Sequence, residues 1–160
     1  MMGVARRCRL AAAGALAVTS ILAHAAQAGT SADELLGDAQ RVLQQIDAGQ
    51  YAIVWQETAP FVRAKYAADA FQQGLSQSRK ALGPVDHRGW ASVTRLTYSH
   101  NQVVPDGLYA NVDYATWLAD GRIVYEKVSF QLGNDGRWYF TGYEPRQNQS
   151  AAPEAQVGQK

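Results

Sequence analysis

Cysteine is close to missing from this sequence: Cys8 is the single one in 160 residues. One thiol cannot close an internal disulfide or build a cysteine-based zinc site. An excess of charge is missing too. Fifteen Lys and Arg stand against fourteen Asp and Glu, a formal net charge of +1. That balance excludes the basic surface by which nucleic-acid binders work. Histidine is scarce, with three in all, and His87 and His100 stand at no zinc-ligand spacing. No G-x-S-x-G surrounds any serine, and there is no glycine-rich phosphate loop. No metal and no cofactor are expected. What is there is ordinary for a folded chain: 47% hydrophobic residues, too many for wholesale disorder.

Residues 1–28 read as a cleavable signal peptide. Arg6, Arg7 and Arg9 form a basic start, and Leu10 to Ala23 is mostly apolar. That stretch is shorter than the about 20 residues a membrane-spanning helix needs. Ala23-His24-Ala25 and Ala26-Gln27-Ala28 are small-x-small cleavage patterns, so the cut falls after Ala25 or Ala28. The expected location is the periplasm or the exterior. The segment holds three of the fifteen basic residues, so twelve face fourteen acidic ones once it is gone. It also holds the cysteine, so the exported chain folds in an oxidising compartment without disulfides. No later run is long and apolar enough to span a membrane.

Past the leader, the apolar spacing is first helical and then alternating. Ser31 to Glu34 is a capping box, and Leu35, Ala39, Val42, Leu43 and Ile46 follow at helical spacing. A short second helix is predicted from about Gln50 to Thr58, stopped before Pro60. A third runs from about Ala67 to Leu82 and ends at Gly83-Pro84. Alternation then predicts strands over Trp90–Ser99, Leu108–Leu118, Arg122–Leu132 and Arg137–Tyr143. Asp120-Gly121 and Asn134-Asp135-Gly136 are tight-turn signals that force antiparallel pairing. The fold class is α+β: N-terminal helices packed on a curved, cone-like, four-stranded antiparallel sheet. Residues 29–144 form one domain. Residues 145–160, rich in Gln, Ala, Ser and Pro, read as a disordered tail.

Several ordered fragments carry a family resemblance. They are Gln45-Ile46-Asp47-Ala48-Gly49-Gln50-Tyr51 with Trp55, then Arg79-Lys80-Ala81-Leu82-Gly83 and Arg88. Pro105-Asp106-Gly107 with Tyr109, Glu126, Asp135-Gly136-Arg137-Trp138 and Gly142-Tyr143 complete the set. Together they resemble a bacterial exported family, domain of unknown function four-zero-one-nine, over about Ala39 to Tyr143. The resemblance implies an α+β cone similar to nuclear-transport-factor-like and cystatin-like folds, and implies no activity. Phe71 stands where that family usually has Trp, and the His100–Val104 loop is longer than usual.

Two charges fall on apolar positions. Arg79 continues the stripe of Phe71 and Leu75 on the third helix. Glu126 shares a strand face with Val124, Val128, Phe130 and Leu132. A lone buried charge is costly, so each needs a partner. The simplest expectation is an Arg79–Glu126 ion pair, structural or ligand-binding. Arg88 or Arg95 as the partner of Glu126 is the rival geometry. Trp55, Tyr98, Tyr109 and Trp117 are candidate pocket or interface aromatics, since one helical layer covers one sheet face and leaves the other exposed. An acid/base role for Asp113 with Glu126 is disfavoured, because strand two places Asp113 with Tyr109 and Trp117. The expected function is a non-enzymatic binding or interaction module. A small-ligand carrier or an enzyme in the cavity between helices and sheet is the alternative. Partners are an envelope protein, a small ligand or a second copy in a homodimer.

Overall fold

The computed structural model describes residues 31–148; the signal-peptide reading and most of the tail fall outside them. Helix α1 (Ala32–Asp47) starts where the capping box predicts: the Ser31 hydroxyl accepts from the Glu34 amide at 3.0 Å. All five residues of its expected stripe are buried. Gly49, at φ 70°, turns the chain into α2 (Tyr51–Gln56). A left-handed residue is tolerated there because glycine has no Cβ.

Pro60 does not end the helical region; it opens a further helix, α3 (Pro60–Lys65). At the first helical position its missing N–H would have had no partner anyway, and its fixed φ suits the turn. Helix α4 (Ala68–Leu82) follows, closed by Gly83 at φ 88°. There are thus four helices among the described residues, where the apolar spacing predicts three.

Four strands follow as an antiparallel meander in the order β1-β2-β3-β4: Val85–Tyr98, Gly107–Leu118, Ile123–Leu132 and Trp138–Arg146. Strand β1 begins at Val85, five residues before the alternation starts. Register shifts at Val85/His87 and at Trp90/Ser92 break the period of two there, so pattern alone misses the first third of the strand. Strand β4 continues past Tyr143, pairing Pro145 with Glu126 and Arg146 with Tyr125. It therefore enters the segment expected to be tail by two residues.

The helices cover one face of the sheet. Leu35, Val42, Leu43 and Ile46 of α1 pack with Val112, Val128, Phe130 and Phe140, all at most 2% exposed. Truncating a core aromatic such as Phe130 to Ala typically costs about 3–5 kcal/mol. The link between α2 and α3 lies along the outer side of β4. Ala59 N–H donates to the Phe140 carbonyl at 2.8 Å, and Phe140 N–H to the Glu57 carbonyl at 3.1 Å. One edge of the sheet is thus partly covered. Among the described residues, β1 has no strand on its outer side.

Candidate functional site

The two displaced charges belong to one cluster, but they do not touch each other. Glu126, fully buried on β3, takes the Arg88 guanidinium: Nε donates to Oε1 at 2.6 Å and Nη2 to Oε2 at 3.3 Å. The Thr116 hydroxyl donates to Oε1 at 2.6 Å and the Tyr143 hydroxyl to Oε2 at 2.5 Å. Four donors occupy a carboxylate with about four acceptor sites. Arg79 instead donates Nε to Asp47 Oδ1 at 2.6 Å and Nη1 to the Gly83 carbonyl at 2.7 Å. Asp47 joins the two halves, since Arg88 also donates Nη1 to Oδ2 at 2.5 Å and Nη2 to Oδ1 at 3.0 Å.

The expected direct Arg79–Glu126 pair is therefore corrected to a four-charge chain, Arg79–Asp47–Arg88–Glu126. The reason is topological. Arg88 pairs with Thr116 across β1 and β2, and Tyr114 pairs with Glu126 across β2 and β3. Arg88 and Glu126 thus share the inner face, with Thr116 between them. Arg79 sits in the last turn of α4, where the closing carbonyls and the end of α1 are nearer. The sequence pattern singles out none of Asp47, Thr116 and Tyr143 as members of the cluster. Asp47 does carry a signal: it continues the buried α1 face one turn past Leu43.

The electrostatics follow from this closure. Burial raises the Asp47 carboxyl, but the hydrogen bonds and charges of Arg88 and Arg79 outweigh it and bring it below the ordinary carboxylate range. Burial opposes the charge on Arg88, yet its two carboxylate partners hold the proton more tightly than usual. Burial pushes the Tyr143 phenol far up, and the neighbouring Glu126 charge pushes it further. Two positive and two negative groups cancel, and each is bonded to another. The cluster pins the ends of α1 and α4 to the middle of the sheet.

A groove of about 890 Å³ opens beside it, between α1 and β1, and reaches Asp47, Arg79 and Arg88 at one end. Leu36, Gln40 and Gln44 form its helical wall, and Gly89, Trp90 and Tyr114 its sheet wall. The Tyr114 hydroxyl donates to the Leu36 carbonyl at 3.3 Å and ties the walls together. Trp90 is 61% exposed, unusual for so large an apolar side chain. The alternation of the sequence places Trp90 at a strand start and assigns it no role.

The four candidate aromatics separate. Tyr98 and Tyr109 come together on the outer sheet face, ring centroids 5.1 Å apart, and line a second cleft of about 890 Å³. Trp117 shares that face but lines neither cleft; it stacks on His87 at 4.5 Å. Trp55 packs on Phe71 at 5.0 Å between α2 and α4, away from both clefts. Asp113 lies on the outer face, in an ion pair with Arg146, so the sheet separates it from Glu126.

A search of curated proteins and a search of solved structures each found no match. The sequence pattern of the family described as "Protein of unknown function (DUF4019)" matches residues 38–143. Those residues run from α1 to β4 and take in the whole charged cluster. The chain therefore belongs to the DUF4019 family of proteins of unknown function.

Proposed function

We propose that this protein is an exported, periplasmic interaction module that binds an extended partner segment in the groove between α1 and β1, without catalysis. The observation that carries the reading is Trp90, 61% exposed on the edge strand and facing that groove. An uncovered edge strand offers backbone donors and acceptors in a row. An added strand would take its hydrogen bonds from that edge and its side-chain anchorage from the tryptophan. Large aromatics of this kind tend to dominate binding energy at interfaces.

Two further features support this reading. The charges of the cluster, Arg79, Asp47, Arg88 and Glu126, are committed to one another, whereas general acid–base chemistry needs a group free to exchange a proton with substrate. The basic, apolar, small-residue order of residues 1–28 supports export. The test is affinity capture from an envelope fraction with the wild-type chain and with Trp90→Ala. The expected result is a specific set of proteins retained by wild type and lost from the variant, with both melting at the same temperature. Identical capture by the two would sink the reading.

A further inference from the structure

The second cleft lies on the opposite face of the sheet, and its lining divides into two chemistries. One end is aromatic. Tyr109, 5% exposed, is the base of this end, its hydroxyl held by the Pro105 carbonyl at 2.9 Å. Tyr98 and Phe61 pack edge-on against it, at 5.1 and 6.5 Å. Tyr66, just past the C-terminal end of α3, stands at the rim, 51% exposed. The floor beyond is polar and mostly uncharged: Ser92, Thr94, Asn111, Ser129 and Thr141. The Ser129 hydroxyl donates to the Asn111 side-chain carbonyl at 2.8 Å, which leaves the Asn111 amide hydrogens for another acceptor.

The charges at the far end are paired among themselves, Arg146 with Asp113 and Lys127 with Glu144 at 2.5 Å. That pairing removes the demand for an ionic ligand at that end; at the aromatic end the Lys65 ammonium lies over the Tyr66 ring, 5.6 Å from its centroid. A lipid tail fits no better, because it would strip water from at least five hydroxyl and amide groups and give nothing back. Aromatic walls beside a floor of neutral donors and acceptors suit a ligand that is apolar on one flat face and hydroxylated round its rim. A pyranose ring has that form. The volume, about 890 Å³, lies in the range of small-ligand sites.

We infer that this outer cleft is a binding site for a short neutral oligosaccharide, one sugar ring resting on Tyr66 and Tyr98 and the hydroxyls of the following rings bonded to Asn111, Ser129 and Ser92. The site is separate from the α1–β1 groove, on the other side of the sheet. Either can therefore fail without the other.

The experiment is an amide-resolved NMR titration of the full chain with triacetylchitotriose and with maltotriose, each to about 10 mM, ten times a millimolar dissociation constant. Sodium decanoate is the comparison ligand. The expected result is saturable shifts at Asn111, Ser129 and Tyr98 with at least one of the two sugars. Tyr66→Ala, at an exposed position, should weaken binding by about tenfold while the spectrum elsewhere is unchanged. Asn111→Ala should abolish it, and Trp90→Ala should leave it as in wild type. Absence of shifts with both sugars overturns the inference. So does binding of decanoate alone at these residues, or sugar binding that Tyr66→Ala and Asn111→Ala both leave intact.

Discussion

Each face of the sheet holds a carboxylate gripped by an arginine, and the two pairs are built differently. On the inner face Glu126 is fully buried, and Arg88, Thr116 and Tyr143 fill its acceptor sites. On the outer face Asp113 is 9% exposed, paired with Arg146 near the end of β4 and approached by the Ser92 hydroxyl only at 3.5 Å. The inner pair reaches α1 through Asp47 and α4 through Arg79, so it joins elements distant in sequence. The outer pair joins two strands of the sheet and borders an open cleft. Burial sets the stakes: a carboxylate that loses its partner in the interior cannot recover its water, whereas one beside a cleft can.

The sharpest way to break the comparison is to remove each arginine. Arg88→Met should lower unfolding free energy by about 3–5 kcal/mol in urea titration, because it strands a buried carboxylate. Adding Glu126→Gln should recover part of that loss, since the stranded charge is gone. The phenol comes next. Tyr143→Phe should cost about 1.5–3 kcal/mol, the range for a hydrogen bond to a charged group. It should also change the alkaline limb. Tyr143 ionises at higher pH folded than unfolded, so its contribution is complete below its ordinary value of 10.0 and fades as pH rises beyond it. The variant should flatten that decline in a pH series of melts.

On the outer face Arg146→Met should cost only about 1–2 kcal/mol, between exposed and buried pairs. A loss equal to that of Arg88→Met would erase the distinction between the faces. The smallest effect is expected at Asp47, which is partly exposed. Its folded value lies below 3.8. The stability it lends is therefore complete above pH 3.8 and is lost as pH falls through the lower folded value. Asp47→Asn should make the acid limb shallower, checked by melting between about pH 5 and pH 2.

Much of the architecture is legible in the spacing of apolar residues alone. The α1 stripe, the turn residues and the alternation of β2 and β3 all sit where spacing puts them, because a regular element repeats its own period. The failures fall where the period is interrupted. Pro60 marks the stop of the second helix, as expected, but also opens α3, and the two bulges of β1 hide its first five residues, Arg88 among them. The candidate site is legible in half. Arg79 and Glu126 stand out as charges in apolar rows, but a row says nothing about what lies opposite it.

Residue spacing alone dictates helices followed by an antiparallel meander, and a partner for Glu126 inside it. Local periodicity and the cost of burying a lone charge suffice for both. Folding in three dimensions selects Arg88 as that partner, links it through Asp47 to Arg79, and brings Tyr98 and Tyr109 to one cleft while Trp55 and Trp117 stay out of it. Those outcomes depend on strand register and on where each helix ends over the sheet. Both are set by the packing of residues far apart in the chain, which no local pattern encodes.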